Sequence, residues 1–153
     1  MKQLIFCLAI VLSLNGFTQQ NKIEWHTDID KAINISLETE KPLLLFFTGK
    51  DWCGPCKMTT KYVFESKEFA EWSEKCVLVE LDFPRGSKRD QIPAKNIEIA
   101  QQLNVNSYPT MWFVRTSKID DQLQLQSIKP IVGGSRDAKA WLSQANKILN
   151  IKY

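Results

Sequence analysis

Short runs of consecutive apolar residues alternate along this chain with segments in which apolar residues recur every three or four positions. The runs at 43–47, 76–82 and 111–114 are typical of strands buried on both faces of a sheet. The three-to-four spacing is typical of amphipathic helices. It predicts helices within 23–40, from the segment 49–56 to about 65, and at 66–75, 96–103 and 137–148. This order indicates an α/β layered fold.

Glycine, proline and clustered polar residues mark where these elements end. Asp28 is the predicted N-cap of the first helix. Residues 83–95, which hold prolines, a glycine and several charges, are predicted to form a loop. Residues 117–121 are predicted to form a polar turn, followed by one or two strands that end at Val132. Gly133 and the glycine after it end the last strand before the C-terminal helix.

The N-terminal segment has the pattern of a secretory signal peptide. Lys2 supplies a positive start, an apolar run covers 4–14, and small or polar residues follow. The run is too short to span a bilayer, which takes about 20 residues. We therefore predict a signal peptide at 1–18 and one mature domain at 19–153. The alternative is an uncleaved helix buried in the fold.

Composition agrees with one globular domain. The chain has 153 residues, of which 44% are hydrophobic and 24% charged, and this excludes a disordered, collagen-like or coiled-coil chain. The net charge is only +3, because 20 basic residues are spread among 17 acidic ones, so no nucleic-acid partner is expected. The one dense basic cluster, Arg85, Lys88 and Arg89, is interpreted as a solvated loop and only distantly as a phosphate site.

Two of the cysteines carry the candidate chemistry. Cys53 and Cys56 are three residues apart and follow a buried strand, with Pro55 suited to the first turn of a helix. A cysteine at a helix N-terminus is stabilised as the thiolate by free N–H groups and by the helix dipole. One sulfur then attacks a disulfide and the other resolves the mixed disulfide. The alternatives are a structural disulfide and a zinc site that would add Cys76 and His26.

The motif and its surroundings resemble a known family. Residues 52–57, Trp-Cys-Gly-Pro-Cys-Lys, resemble the active-site motif of thioredoxin. The segments 25–53, 64–69 and 108–110 are similar to exported thioredoxin-like proteins, in the group that includes the C-terminal domain of the thiol:disulfide interchange protein DsbD. The resemblance covers about 23–149. It implies a thioredoxin fold, in which a central mixed β-sheet is flanked by helices on both faces.

The resemblance also assigns roles to individual residues. It makes Cys53 the attacking cysteine, Cys56 the resolving one, and Pro109 a cis proline that faces their disulfide. Cys76 has no counterpart in the motif and is expected to be an inert buried residue. The resemblance further implies a groove for an extended substrate chain, formed by Trp52, Gly54, Pro55, Tyr108, Pro109, Val132 and Gly133. For the two aromatic residues, an ordinary role in the core is the alternative.

Two positions depart from thioredoxin. The buried aspartate of the family, six residues before the first cysteine, is Phe47 here, and the lysine that usually faces it is Glu80. A carboxylate in a strand buried on both faces is costly unless it has a partner. We expect Glu80 to replace the missing aspartate as the general base for Cys56. The alternative is that Glu80 reaches solvent or pairs with a lysine such as Lys57.

These features favour an exported reductase of protein disulfides. Gly54 and Pro55 separate the cysteines, whereas strongly oxidising relatives carry a histidine in that gap; His26 is the chain's single histidine. Such a reductase implies disulfide-containing substrates and a membrane electron donor of the DsbD type. We expect no cofactor, no metal, a monomer, and a periplasmic or cell-envelope location. The alternatives are a disulfide oxidase or isomerase and a non-catalytic peptide-binding module.

Overall fold

The computed structural model describes residues 23–151, in which five strands form one mixed sheet with helices on both faces. The predicted signal peptide at 1–18 lies outside these residues. The strands are β1 (Trp25–His26), β2 (Leu43–Thr48), β3 (Val77–Asp82), β4 (Thr110–Ile119) and β5 (Gln122–Val132). The helices are α1 (Ile29–Thr39), α2 (Gly54–Thr59), α3 (Lys67–Ser73), α4 (Ala94–Gln102) and α5 (Ala138–Leu149).

The strand order in the sheet is β1-β3-β2-β4-β5. β3 pairs in parallel with β1 and β2, whereas β4 is antiparallel to both β2 and β5. The three apolar runs are therefore strands, and the layered α/β architecture is confirmed. β1 was not predicted, because two residues beside β3 are too few to display a period.

Two predicted irregular segments contain regular structure. β4 continues to Ile119, so the polar turn predicted at 117–121 shrinks to Asp120 and Asp121, which both have positive φ, 51° and 58°. The outer half of this hairpin is exposed on both faces, so the alternation of glutamine and leucine at 122–126 does not mark a buried face. The predicted loop at 83–95 includes a 3₁₀ turn, Gly86–Gln91, and the start of α4.

Apolar side chains fill a core on each face of the sheet. On one face, α1 and α4 cover Leu45, Phe47 and Val79. On the other, the helices that follow the cysteine motif and α5, which contributes Trp141, cover Phe46 and Leu78. Alternate residues of β2 and β3 serve opposite cores, because successive side chains of a strand point to opposite faces.

The helix boundaries follow from local capping. The Asp28 carboxylate accepts hydrogen bonds from the N–H groups of Asp30 and Lys31, which confirms it as the N-cap of α1. In the same way, the Asp137 carboxylate caps α5.

β5 lies at the sheet edge and contains Pro130. Within residues 23–151, no helix is long and apolar enough to cross a membrane.

Candidate active site

The two motif cysteines lie where β2 turns into α2. The N–H of Cys53 donates to the carbonyl of Gly49 at 2.8 Å, which closes the turn after the strand. Cys53 then serves as the N-cap of α2: its backbone is extended, and its Sγ accepts a hydrogen bond from the N–H of Cys56 at 3.1 Å. The sulfur therefore receives a backbone donor at the positive end of a helix, where a thiolate is stabilised.

Cys53 and Cys56 are joined by a disulfide, with their Cα atoms 5.2 Å apart. Both cysteines are buried, whereas Gly54 and Pro55 between them are exposed. Pro55 lies in the first turn, where its missing N–H removes no helical hydrogen bond. α2 continues into a π-helical turn at Thr60–Phe64, which is packed against α5. The chain thus holds a redox-capable pair at the start of a well-anchored helix.

The loop before β4 and the end of β5 meet each other. The peptide bond between Tyr108 and Pro109 is cis. The N–H of Gly133 donates to the carbonyl of Pro109 at 2.9 Å, and Val132 is 59% exposed. Four of the seven residues assigned to the groove therefore lie together.

Gly134 connects this loop pair to the cysteine helix. A Cβ atom at Gly134 would lie only 3.0 Å from the Cβ and carbonyl oxygen of Pro55. Any side chain here would push the loop away from the first turn of α2. Sequence reasoning interpreted this glycine only as a strand breaker, because nothing local reveals a contact with a residue so distant in the chain.

Trp52 is held by the segment that follows β3. Its Nε1–H donates to the carbonyl of Phe83 at 2.8 Å, and its ring meets that of Tyr108 edge to face, with centroids 5.5 Å apart. The guanidinium of Arg85 stacks on the indole at 3.4 Å from the ring centroid. Burial raises the pKa of Tyr108, and the positive charge of Arg85 opposes that rise. Arg85 was predicted to lie in a solvated loop, and its contact with the Trp52 ring was not predicted.

Glu80 and Cys56 line the same cavity. The cavity has a volume of about 280 Å³, and Lys50 and Glu65 also line it. The Glu80 side chain is only 17% exposed, and its carboxylate pairs with the ammonium group of Lys50. Glu80 extends from the face of β3 that also carries Leu78, on the side of the cysteine helix.

The ion-pair partner of Glu80 differs from the predicted one. The alternative of a lysine pair is confirmed, but the lysine is Lys50: Lys57 donates instead to the carbonyl of Asp51 at 3.1 Å. Lys50 is well placed because its own N–H donates to the carboxylate of Asp82, two residues beyond Glu80, at 2.8 Å. The position of Lys50 in the sequence could have indicated this pair. Lys50 closely follows β2, and β2 pairs with β3, the strand that carries Glu80.

The prediction that Phe47 stands where the family's aspartate would face Glu80 is wrong: Phe46 is the residue paired with Glu80 and lies on the face of Cys56, whereas Phe47 takes no part in this cavity. Its side chain is 0% exposed and lies among apolar residues on the opposite face of the sheet. Its ring lies 6.1 Å from that of Phe83, centroid to centroid. On the face of Cys56, β2 offers Phe46, so the acidic group near Cys56 comes from Glu80 on β3.

Cys76 is a free, buried thiol. Burial raises its pKa to about 12, against the opposing effect of the positive charges of Lys75 and Lys41. Residues 23–151 contain no group of three or more histidine, cysteine or acidic side chains that could hold a metal ion. The four residues considered for zinc are thus not brought together in this part of the chain.

The three thiols of the reduced domain are expected to differ sharply in reactivity. Iodoacetamide near pH 7.5 should modify Cys53 first, because only its sulfur receives the Cys56 N–H at the helix start. Cys76 should remain unmodified until the protein unfolds, because a thiol with a pKa of about 12 holds almost no thiolate at that pH. Peptide mapping by mass spectrometry checks both results. Equal labelling of Cys53 and Cys56 would contradict the assignment of the attacking sulfur.

A mixed sheet that presents a two-cysteine disulfide at the start of a helix defines a thiol:disulfide oxidoreductase. A sequence profile described as thioredoxin-like matches residues 24–116, more than half of the chain. The chain therefore belongs to the thioredoxin-like family. This membership and the sheet topology confirm the predicted thioredoxin fold.

Two similar proteins come from Chlamydia pneumoniae. Thioredoxin-related protein DsbJ is 33% identical over 120 residues, which cover 72% of this chain and 34% of DsbJ. Disulfide bond reductase DsbH is 31% identical over 94 residues, which cover 60% of this chain and 56% of DsbH. The matched part thus spans about a third of one relative and just over half of the other.

Solved structures agree with these matches. A structure described as DsbH oxidoreductase superposes with a TM-score of 0.63 at 25% identity and covers 86% of this chain and 87% of its own. A thioredoxin from Thermus thermophilus gives a TM-score of 0.60 at 14% identity, covering 83% of this chain and 87% of its own. The second match supports the fold alone.

Proposed function

We propose that this protein reduces disulfide bonds in other proteins. The observation that carries the proposal is the pair Gly54 and Pro55 between the cysteines, which leaves the Cys53 sulfur with a backbone donor and no imidazole in the motif. A histidine in that gap stabilises the reduced form and makes a strong oxidant. Without a histidine between the cysteines, the reduced pair of Cys53 and Cys56 readily passes its electrons to a substrate disulfide. One relative, named a disulfide bond reductase, supports the same direction.

The exchange proceeds in two balanced steps. The Cys53 thiolate attacks one sulfur of the substrate disulfide, the substrate S–S bond breaks, and the departing thiolate takes a proton. Cys56 then loses its proton and attacks the Cys53 sulfur, which breaks the mixed disulfide and releases the second substrate thiol. Two electrons move to the substrate, and the Cys53–Cys56 disulfide remains.

Glu80 is proposed to take the proton from Cys56. The cavity that both residues line supports this role, because it offers space for a bridging water between the carboxylate and the thiol. The ion pair with Lys50 holds the carboxylate in this cavity. Glu80 thereby takes over the task of the family's aspartate, because β2 presents only Phe46 opposite Glu80 on this face.

The substrate chain is proposed to lie over Trp52, Gly54 and Pro55 and along Tyr108, Pro109, Val132 and Gly133. The exposure of Val132 and the contact between Gly133 and Pro109 support this path.

The predicted signal peptide supports action in the periplasm or cell envelope. A membrane electron donor of the DsbD type, with an exposed dithiol, then reduces the Cys53–Cys56 disulfide again. The oxidoreductase itself acts as a monomer.

A redox titration against glutathione tests the direction of electron flow. We expect a midpoint nearer to the thioredoxin value of about −270 mV than to the DsbA value of about −120 mV. Mass spectrometry of acid-trapped samples would give the ratio of dithiol to disulfide. A midpoint near the oxidising end would establish an oxidase or isomerase instead. Failure to reduce insulin with dithiothreitol present would favour a non-catalytic binding module.

A further inference from the structure

A large cleft adjoins the active site on the side of Trp52. It has a volume of about 1180 Å³ and runs between the segment after β3 and the C-terminal part of α4. Trp52, Phe83 and Tyr108 form an aromatic wall, with the ring of Tyr108 5.5 Å from each of the other two between centroids. Arg85 and Arg89 also line it, and we name it the arginine cleft.

The charges of the arginine cleft are unbalanced. Arg85 and Arg89 contribute two guanidinium groups, and Asp90 is the one carboxylate that lines the cleft among residues 23–151. Neither arginine forms an ion pair with any residue of this range. The guanidinium carbon of Arg85 lies 3.4 Å from the centroid of the Trp52 ring, and no carboxylate of residues 23–151 pairs with this group, so it can bind a carboxylate of another chain.

The arginine cleft is continuous with the site of exchange. Trp52 immediately precedes Cys53, and Tyr108 immediately precedes Pro109. A polypeptide whose cysteine reacts with Cys53 therefore carries its neighbouring residues past Arg85. Aromatic rings next to unpaired guanidinium groups complement a segment that combines apolar and acidic side chains.

We propose that the arginine cleft binds the substrate segment next to the reacting cysteine and selects segments with an acidic residue beside an apolar one. Arg85 is the specificity-determining residue, and Arg89 adds to the positive field. This inference rests on the proposed exchange with protein disulfides. It narrows the substrate class to disulfides flanked by aspartate or glutamate, and it holds for either direction of electron flow.

The test compares three synthetic peptides that differ only in charge. Each has one cysteine in a disulfide with 2-mercaptoethanol, flanked by leucine and, two residues away on either side, by glutamate, glutamine or lysine. The full chain carrying Cys56→Ser traps the mixed disulfide on Cys53, and mass spectrometry of quenched samples gives its rate of formation. At low salt we expect the glutamate peptide to react about fivefold faster than the glutamine peptide. At 0.5 M salt this ratio should approach one.

Variants at two arginines make the test specific. In the same background, Arg85→Gln should lower the glutamate-to-glutamine ratio to near one, and Arg85→Glu should favour the lysine peptide. Arg115→Gln is the matched control: it removes an exposed arginine of β4, outside the cleft, and should keep the full ratio. Thermal unfolding verifies that each variant is folded, and the glutamine peptide serves as the internal reference.

The outcomes separate this inference from the function on which it rests. A ratio of one in the parent at low salt, or a ratio that Arg85→Gln leaves unchanged, overturns the role of the cleft. The ratio concerns bond formation at Cys53, so it does not depend on the redox midpoint. A midpoint at the oxidising end with a ratio near five would overturn the reductase assignment and retain the acidic preference. If no peptide forms a mixed disulfide with Cys53, both proposals fail.

Discussion

Replacement of Cys53 by serine is expected to abolish disulfide reduction. The rate should fall by at least about a thousandfold, because a hydroxyl at the helix start is not ionised near neutral pH and cannot attack a disulfide. Insulin reduction driven by dithiothreitol measures the loss. The disulfide between Cys53 and Cys56 would also be absent, so a redox titration should show no two-electron transition.

Two other cysteine variants act as controls. Cys56→Ser should also stop turnover, but it should accumulate a mixed disulfide with the substrate, because the attacking sulfur is still present. Cys76→Ser should keep turnover close to the parent rate, since that thiol is buried and unreactive. Substantial insulin reduction by Cys53→Ser, or a trapped intermediate in that variant, would assign the first attack to a different sulfur.

Replacement of Glu80 by glutamine should slow the release of the mixed disulfide. The substitution keeps the shape of the side chain and removes the base, and a positioned base contributes about 10²-fold or more to such a step. The rate of the first attack by Cys53 should change little, because Cys56 does not have to lose its proton in that step. Stopped-flow measurement between pH 6 and 8 follows formation and release separately. In the variant, release should become steeply faster with rising pH, as hydroxide replaces the carboxylate.

Glu65→Gln provides the matched control for Glu80→Gln. Glu65 lines the same cavity but is exposed, so its loss should leave release at the parent rate. If Glu80→Gln also releases at the parent rate across this pH range, the residue is structural and the proton goes to solvent. Its ion pair with Lys50 would then serve only to join the loop after β2 to β3.

The fold was largely predictable because its central strands are continuous apolar runs. Leu43 to Phe47 contains no polar residue, and its burial on both faces requires helices on each side of the sheet. The hairpin of β4 and β5 was harder to predict. Its outer half is exposed on both faces, so the alternation of glutamine and leucine at 122–126 does not correspond to a buried face, and cross-strand pairing extends the strands to Ile119 and Gln122.

The chemistry of the site was easier to predict than its environment. Cys53 and Cys56 are close in sequence, and their spacing on a helix brings the sulfurs together regardless of the rest of the chain. Arg85 and Lys50 are different, because each acts on a residue about 30 positions away. Which of several lysines reaches Glu80 depends on strand register, and register is a property of the assembled sheet.

The edge strand β5 affects how the protein behaves at high concentration. An eleven-residue strand with one open side is a template on which another chain can add a strand, which is a common route to aggregation. Pro130 has no N–H to donate, and the neighbouring Lys129 is exposed and charged. Both features weaken that template close to Val132. The strand that ends at Val132, next to the contact between Gly133 and Pro109, therefore also carries residues that limit aggregation.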